Sequence, residues 1–116
     1  MIFTNYYSIL GLAIGCATAE IMITEPVEIT RWQRGENAIV KWNIDAIDLA
    51  ELVTIELRIG PKVNLALSYE IATEVDANEE SHSWFVPENL IPGDKYSVRI
   101  ITDKGVDRYS HYFTIV

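Results

Sequence analysis

The sequence predicts an all-β domain, an antiparallel β-sandwich of about seven strands, on three observations. Apolar residues alternate with polar ones in several short segments, most cleanly at Ala38, Val40, Trp42 and Ile44, at Val53, Ile55, Leu57 and Ile59, and at Tyr96, Val98 and Ile100. Turn-forming residues punctuate those segments at short intervals, and no helical period is sustained anywhere. Residues 84–100 join one alternating segment to the next across a Pro-rich corner. Pro87 and Pro92 cannot donate to a sheet ladder there, and Gly93 is read as tolerating a positive φ.

In chain order, residues 20–24 read as a first strand with Ile21 and Ile23 on one side, stopped by Glu25-Pro26. Residues 27–33 continue extended, and Arg34-Gly35-Glu36-Asn37 turns into the strand carrying Trp42. Residues 45–51 form a connection with room for one helical turn. A central strand follows over 53–59, then the turn Gly60-Pro61-Lys62. The next strand is read with Leu65, Leu67, Tyr69 and Ile71 facing inward. The acidic stretch 74–80 breaks that pattern, and His82, Trp84 and Val86 resume it. Leu90 to Tyr96 has the form of a tyrosine corner, in which a Tyr early in a strand returns its hydroxyl to upstream backbone. In this it resembles the corner of immunoglobulin/fibronectin III-like sandwiches, which is the sandwich type expected here. After the strand at 95–102, Asp103-Lys104-Gly105 suits a three-residue hairpin loop with Gly105 left-handed, leading into a last strand over 107–116.

Residues 1–19 carry no charged side chain, pass through an apolar run over 9–17, and end in Ala17-Thr18-Ala19. This predicts a signal peptide over 1–19 and a mature domain over 20–116. An uncleaved membrane anchor and a lipoprotein signal ending at Gly15-Cys16 are the rival readings. The anchor would want about 20 mainly apolar residues, and Asn5, Tyr6, Tyr7 and Ser8 interrupt the run. The cleaved leader is favoured, giving a secreted chain with no membrane insertion afterwards. Cys16 is the only cysteine, so the domain over 20–116 has no disulfide and no thiol chemistry. Of 116 residues, 49% are hydrophobic, ample for one core. The net charge is −8, and the 9 basic residues are scattered singly among 17 acidic ones, which argues against nucleic acid and anionic membranes as partners. No N-x-Ser/Thr sequon is present.

Chemistry has few candidates. Glu74, Asp76, Glu79 and Glu80 are close in sequence, yet a glycosidase requires two carboxylates about 5 to 9.5 Å apart, and a solvated acidic loop accounts for these. Asp76-x-Asn78-x-Glu80 copies the first ligand positions of a calcium loop, but Ser81 and Pro87 occupy the positions of its Gly and its last Glu. His82 and His111 lack zinc spacing. With no serine-hydrolase elbow, phosphate loop or dinucleotide fingerprint, the expectation is a non-enzymatic protein with no catalytic residues, metal or cofactor. Aromatic rings offer a binding alternative, because a flat ring on a surface can stack on a sugar. Trp32, Tyr109 and Tyr112 are the candidates for glycan contact. Trp42, Trp84, Pro92, Gly93 and Tyr96 are read as fold-defining, with Phe113 also in the core.

Taken together, Ile23-Thr24-x-Pro26, Trp32-x-x-Gly35, Ile39-Val40-Lys41-Trp42, Val53-Thr54-Ile55-Glu56-Leu57, Trp84-Phe85-Val86-Pro87, Leu90-x-Pro92-Gly93-x-x-Tyr96 and Phe113-Thr114-Ile115 form an ordered set. It resembles the N-terminal immunoglobulin-like domain of the fungal Ser/Thr-rich GPI-anchored membrane family, which includes yeast proteins linked to β-1,6-glucan assembly. The resemblance covers nearly all of residues 20–116. It implies a secreted module of the fungal cell surface or wall, structural or β-glucan-associated, whose partners are cell-wall polysaccharide or another wall protein. No Ser/Thr-rich stalk or GPI signal follows the final strand pattern, so a free secreted domain or a truncated gene model is expected. A secreted protein-interaction module without glycan affinity is the alternative.

Overall fold

The computed structural model describes residues 21–44 and 52–116. The leader read at 1–19 and the helical turn read at 45–51 lie outside the described residues. Among the described residues there are nine strands: β1 (Ile21–Glu25), β2 (Arg31–Trp32), β3 (Asn37–Ile44), β4 (Leu52–Ile59), β5 (Ala66–Asp76), β6 (Ser81–Phe85), β7 (Gly93–Thr102), β8 (Asp107–Tyr109) and β9 (Phe113–Ile115). They form a small sheet in the order β1-β3-β6 and a larger one in the order β2-β9-β7-β4-β5, with β8 also paired to β7. Counting β1 with β2 and β8 with β9 as single interrupted strands recovers the seven of an immunoglobulin-like sandwich.

The alternation of the sequence produces the core directly. Ala38, Val40 and Trp42 of β3, Val53, Ile55 and Leu57 of β4, and Tyr96, Val98 and Ile100 of β7 are all buried. Successive side chains on a strand point to opposite faces, so each of these sets is one face of its strand turned toward the other sheet. The Trp42 indole Nε1 donates to the Ala77 carbonyl oxygen at 2.9 Å, so burying this ring leaves no orphan donor. The tyrosine corner is present: the Tyr96 hydroxyl donates to the Ile91 carbonyl oxygen at 2.5 Å. Burial pushes the Tyr96 hydroxyl pKa up, and the nearby Arg34 charge pulls it partly back. Arg34 itself donates to the carbonyl oxygens of Leu90 and Val116, tying the corner to the end of the last strand.

Several expectations are corrected. Residues 27–33 are not continuously extended: Thr30 N–H donates to the Val27 carbonyl at 3.0 Å, forming a turn that carries the chain from the small sheet to the large one. β5 does not face inward throughout, since of Leu65, Leu67, Tyr69 and Ile71 only Ile71 is buried. The cause is its position at the end of the sheet and three register shifts against β4, each of which breaks the two-residue parity. Gly93 has no positive φ, unlike Gly35, Gly60 and Gly105, so it opens β7 in ordinary extended backbone. Trp84 is half-buried rather than core, wedged against the rings of Trp32 and Tyr69. The last strand is broken after Tyr109 and resumes at Phe113.

Candidate functional site

The break in the last strand builds the site. In a continuous strand Tyr109 would share parity with buried Phe113 and Ile115, and Tyr112 would face the other way. Instead Ser110 is captured by β7: its N–H donates to the Val98 carbonyl at 2.7 Å, and its Oγ accepts from Val98 N–H at 2.9 Å. Ser97 Oγ donates to the Ser110 carbonyl oxygen at 2.8 Å. Three residues are thus spent on a crossover instead of a ladder, and both tyrosines reach the outer surface of the larger sheet.

There they form one wall of a groove of about 460 Å³. Tyr109, Ser110 and Tyr112 stand on one side, Lys62, Val63, Asn64 and Leu65 on the other, and Ser97 of the intervening β7 lies between. The second wall follows from the turn after β4. Gly60 takes a positive φ of 118°, Pro61 fixes the next residue, and Lys62–Asn64 closes a single 3-10 turn with Asn64 N–H donating to the Pro61 carbonyl at 2.9 Å. The Tyr112 hydroxyl donates to the Gly60 carbonyl oxygen at 2.6 Å and links the two walls.

The two rings differ in their surroundings. Tyr109 is 46% exposed, and the Arg99 guanidinium lies 5.6 Å from its centroid. Tyr112 is half-buried, with the ammonium groups of Lys62 and Lys95 over it at 5.6 and 5.2 Å. Tyr109 is therefore the ring with area to offer a sugar, and Tyr112 is the brace. Beside them on the sheet face, Arg99 reaches Asp107 at 2.8 Å and Glu56 at 3.4 Å, while Arg58 reaches Glu56 at 2.7 Å. Burial would lower the Arg99 pKa, but the hydrogen bond to Asp107 and the charges of Tyr109, Asp107 and Glu56 outweigh it and raise the pKa above its ordinary value.

Trp32, the third candidate for glycan contact, is corrected: it is 6% exposed and packs on Phe113 at 4.6 Å and on Trp84 at 5.9 Å. The parallel pairing of β2 with β9 turns this ring inward. The acidic stretch has a structural use. Asp76 accepts from Asn78 N–H, the Glu80 carboxylate accepts from Ile44 N–H, and the Glu80 carbonyl accepts from Trp42 N–H. The first bond caps the turn within the loop, and the two at Glu80 clip it to β3. Among the described residues no three His, Cys, Asp or Glu side chains come together as a metal site. His111 instead sits 3.8 Å from Glu28 at the surface.

Lys62, Asn64, Ser97 and Ser110 are groove residues that sequence reading did not single out. Gly60-Pro61 marked the turn that positions the first two, but nothing in the alternation signalled the break at Ser110.

The fold and this site define an immunoglobulin-like sandwich that presents an open, tyrosine-walled groove on the outer face of its larger sheet. A narrower placement comes from comparison with known families: the model of the Kre9/KNH-like N-terminal Ig-like domain matches residues 25–115, and the chain belongs to that family. This is the resemblance that the ordered motifs carried. The family is associated with yeast cell-wall β-glucan synthesis. No curated protein matches the chain, and among the described residues no helix is long and apolar enough to cross a membrane.

Proposed function

We propose that this protein is a non-enzymatic, secreted module of the fungal cell wall that holds β-glucan in the groove between residues 62–65 and Tyr109–Ser110–Tyr112. The single observation carrying this is the convergence of Tyr109 and Tyr112, distinct in sequence parity, on one groove. An exposed ring supplies apolar stacking area, while Asn64 and the nearby hydroxyls supply donors and acceptors for sugar hydroxyls. Family membership supports the choice of a wall glucan as the ligand.

The test is co-sedimentation of the purified protein with insoluble β-glucan and with chitin. Retention on β-glucan, lowered about two- to tenfold by Tyr109→Ala, is expected. Failure to sediment with any wall polysaccharide would sink the glycan reading.

A second reading has its own observation. β5 is an 11-residue strand that, among the described residues, is paired on one edge only, with Leu67 and Tyr69 exposed at 53% and 42%. A module that binds another wall protein by strand addition would use the other edge. Absence of glucan binding together with a partner recovered through β5 would favour this reading.

A further inference from the structure

We propose that the groove prefers a glucan carrying an acidic group, a carboxylate or a phosphate, and that Lys62 and Lys95 read that charge. This rests on the glucan reading above and narrows its ligand. The chain carries a net charge of −8, yet among the described residues no Asp or Glu lines the groove, and Lys62 does.

The cations of this region fall into two kinds. Arg58 and Arg99, on the sheet face, are neutralised by Glu56 and Asp107 at 2.7 and 2.8 Å. Lys62 forms no salt bridge with a described residue, and Lys95 has only a loose contact to Asp94 at 3.9 Å, with both side chains mostly exposed. What holds these two ammonium groups is the Tyr112 ring, over which both lie. A ring face attracts a cation through its quadrupole without cancelling its charge, and the bond from the Tyr112 hydroxyl to Gly60 keeps the ring in place. An anion entering the groove therefore meets the Lys62 ammonium and the Asn64 amide on its lining, with the Lys95 ammonium over the adjoining Tyr112 ring.

The net charge makes the test discriminating, because an acidic protein as a whole repels an acidic polymer. Three soluble chains of equal length are titrated against the protein: neutral β-glucan, its carboxymethylated form and its phosphorylated form. At low salt at least one acidic form is expected to bind about two- to fivefold tighter than the neutral one, the range of an exposed ion pair. The advantage disappears near 1 M salt, where the screening length falls to about 3 Å. Lys62→Gln removes most of the advantage of the acidic chain over the neutral one, and Lys62→Arg retains it.

The two acidic forms together show whether carboxylate or phosphate is the better ligand. Equal binding of all three chains, or acidic binding that is weaker and improves with salt, overturns this inference and leaves the glucan reading standing. An acidic preference that survives the double change Lys62→Gln, Lys95→Gln overturns the assignment to these lysines. Binding of none of the three overturns both readings.

Discussion

At Tyr96 one hydroxyl closes the corner between β6 and β7, with the Ile91 carbonyl as its acceptor. Tyr96→Phe is expected to cost about 0.5 to 1.5 kcal/mol in chemical denaturation, and an unchanged midpoint would contradict the corner's contribution. The raised pKa also fixes a pH dependence. The folded state holds the phenolic proton more tightly than the unfolded chain, whose pKa lies near 10.0. Stability from this group is therefore fully present below that pH and lost as pH rises through the folded value. Tyr96→Phe should flatten that alkaline decline. Trp42 and Trp84 separate by burial. Trp42→Ala should cost about 3 to 5 kcal/mol as a core truncation that also orphans the Ala77 carbonyl. Trp84→Ala should cost less, because part of that ring is already in water; the reverse order would mean the faces are misassigned.

Elements show where alternation is a sufficient guide and where it is not. β3, β4 and β7 are paired on both edges, so a period of two in sequence became a buried face at Val40, Trp42, Ile55, Leu57, Val98 and Ile100, with Ile44 and Ile59 at the strand ends half-buried. Among the described residues β5 has neighbours on one edge only, and the shifts in its pairing broke the parity that Leu67 and Tyr69 suggested. The corner at Pro92-Gly93 was legible as a corner, but its glycine is not needed for φ. Gly105 is, at +85°, in the hairpin loop before β8. Gly105→Ala should therefore destabilise by about 1 to 2 kcal/mol through backbone strain alone, since nothing lies near its added methyl group. Gly93→Ala, meeting only Tyr96 at 4.0 Å, should stay within about 0.5 kcal/mol. Equal losses at the two positions in thermal melts would contradict this distinction. The groove was half legible: its tyrosines stood out as surface rings, while the break that aligns them depends on Ser110 bonding across to Val98, a long-range pairing with no local sequence mark.

For the whole molecule, the sandwich supplies a rigid face and the interrupted last strand supplies the groove. The chain is acidic as a whole, yet the lining charge of the groove, among the described residues, is the cation Lys62. In the acidic stretch, Asp76 caps the turn after β5 and Glu80 clips it to β3. Replacing Glu74, Asp76, Glu79 and Glu80 together by alanine should lower stability through the lost Asp76 and Glu80 bonds and leave glucan retention by the folded fraction unchanged. A hydrolytic activity that vanished in this variant would argue for an enzyme instead. The most direct test of the groove is residue-resolved NMR during titration with a soluble β-glucan oligosaccharide. The account predicts saturable shift changes centred on Asn64, Ser97, Tyr109, Ser110 and Tyr112. Changes confined to the β5 edge, or none at any residue of the groove, would contradict it.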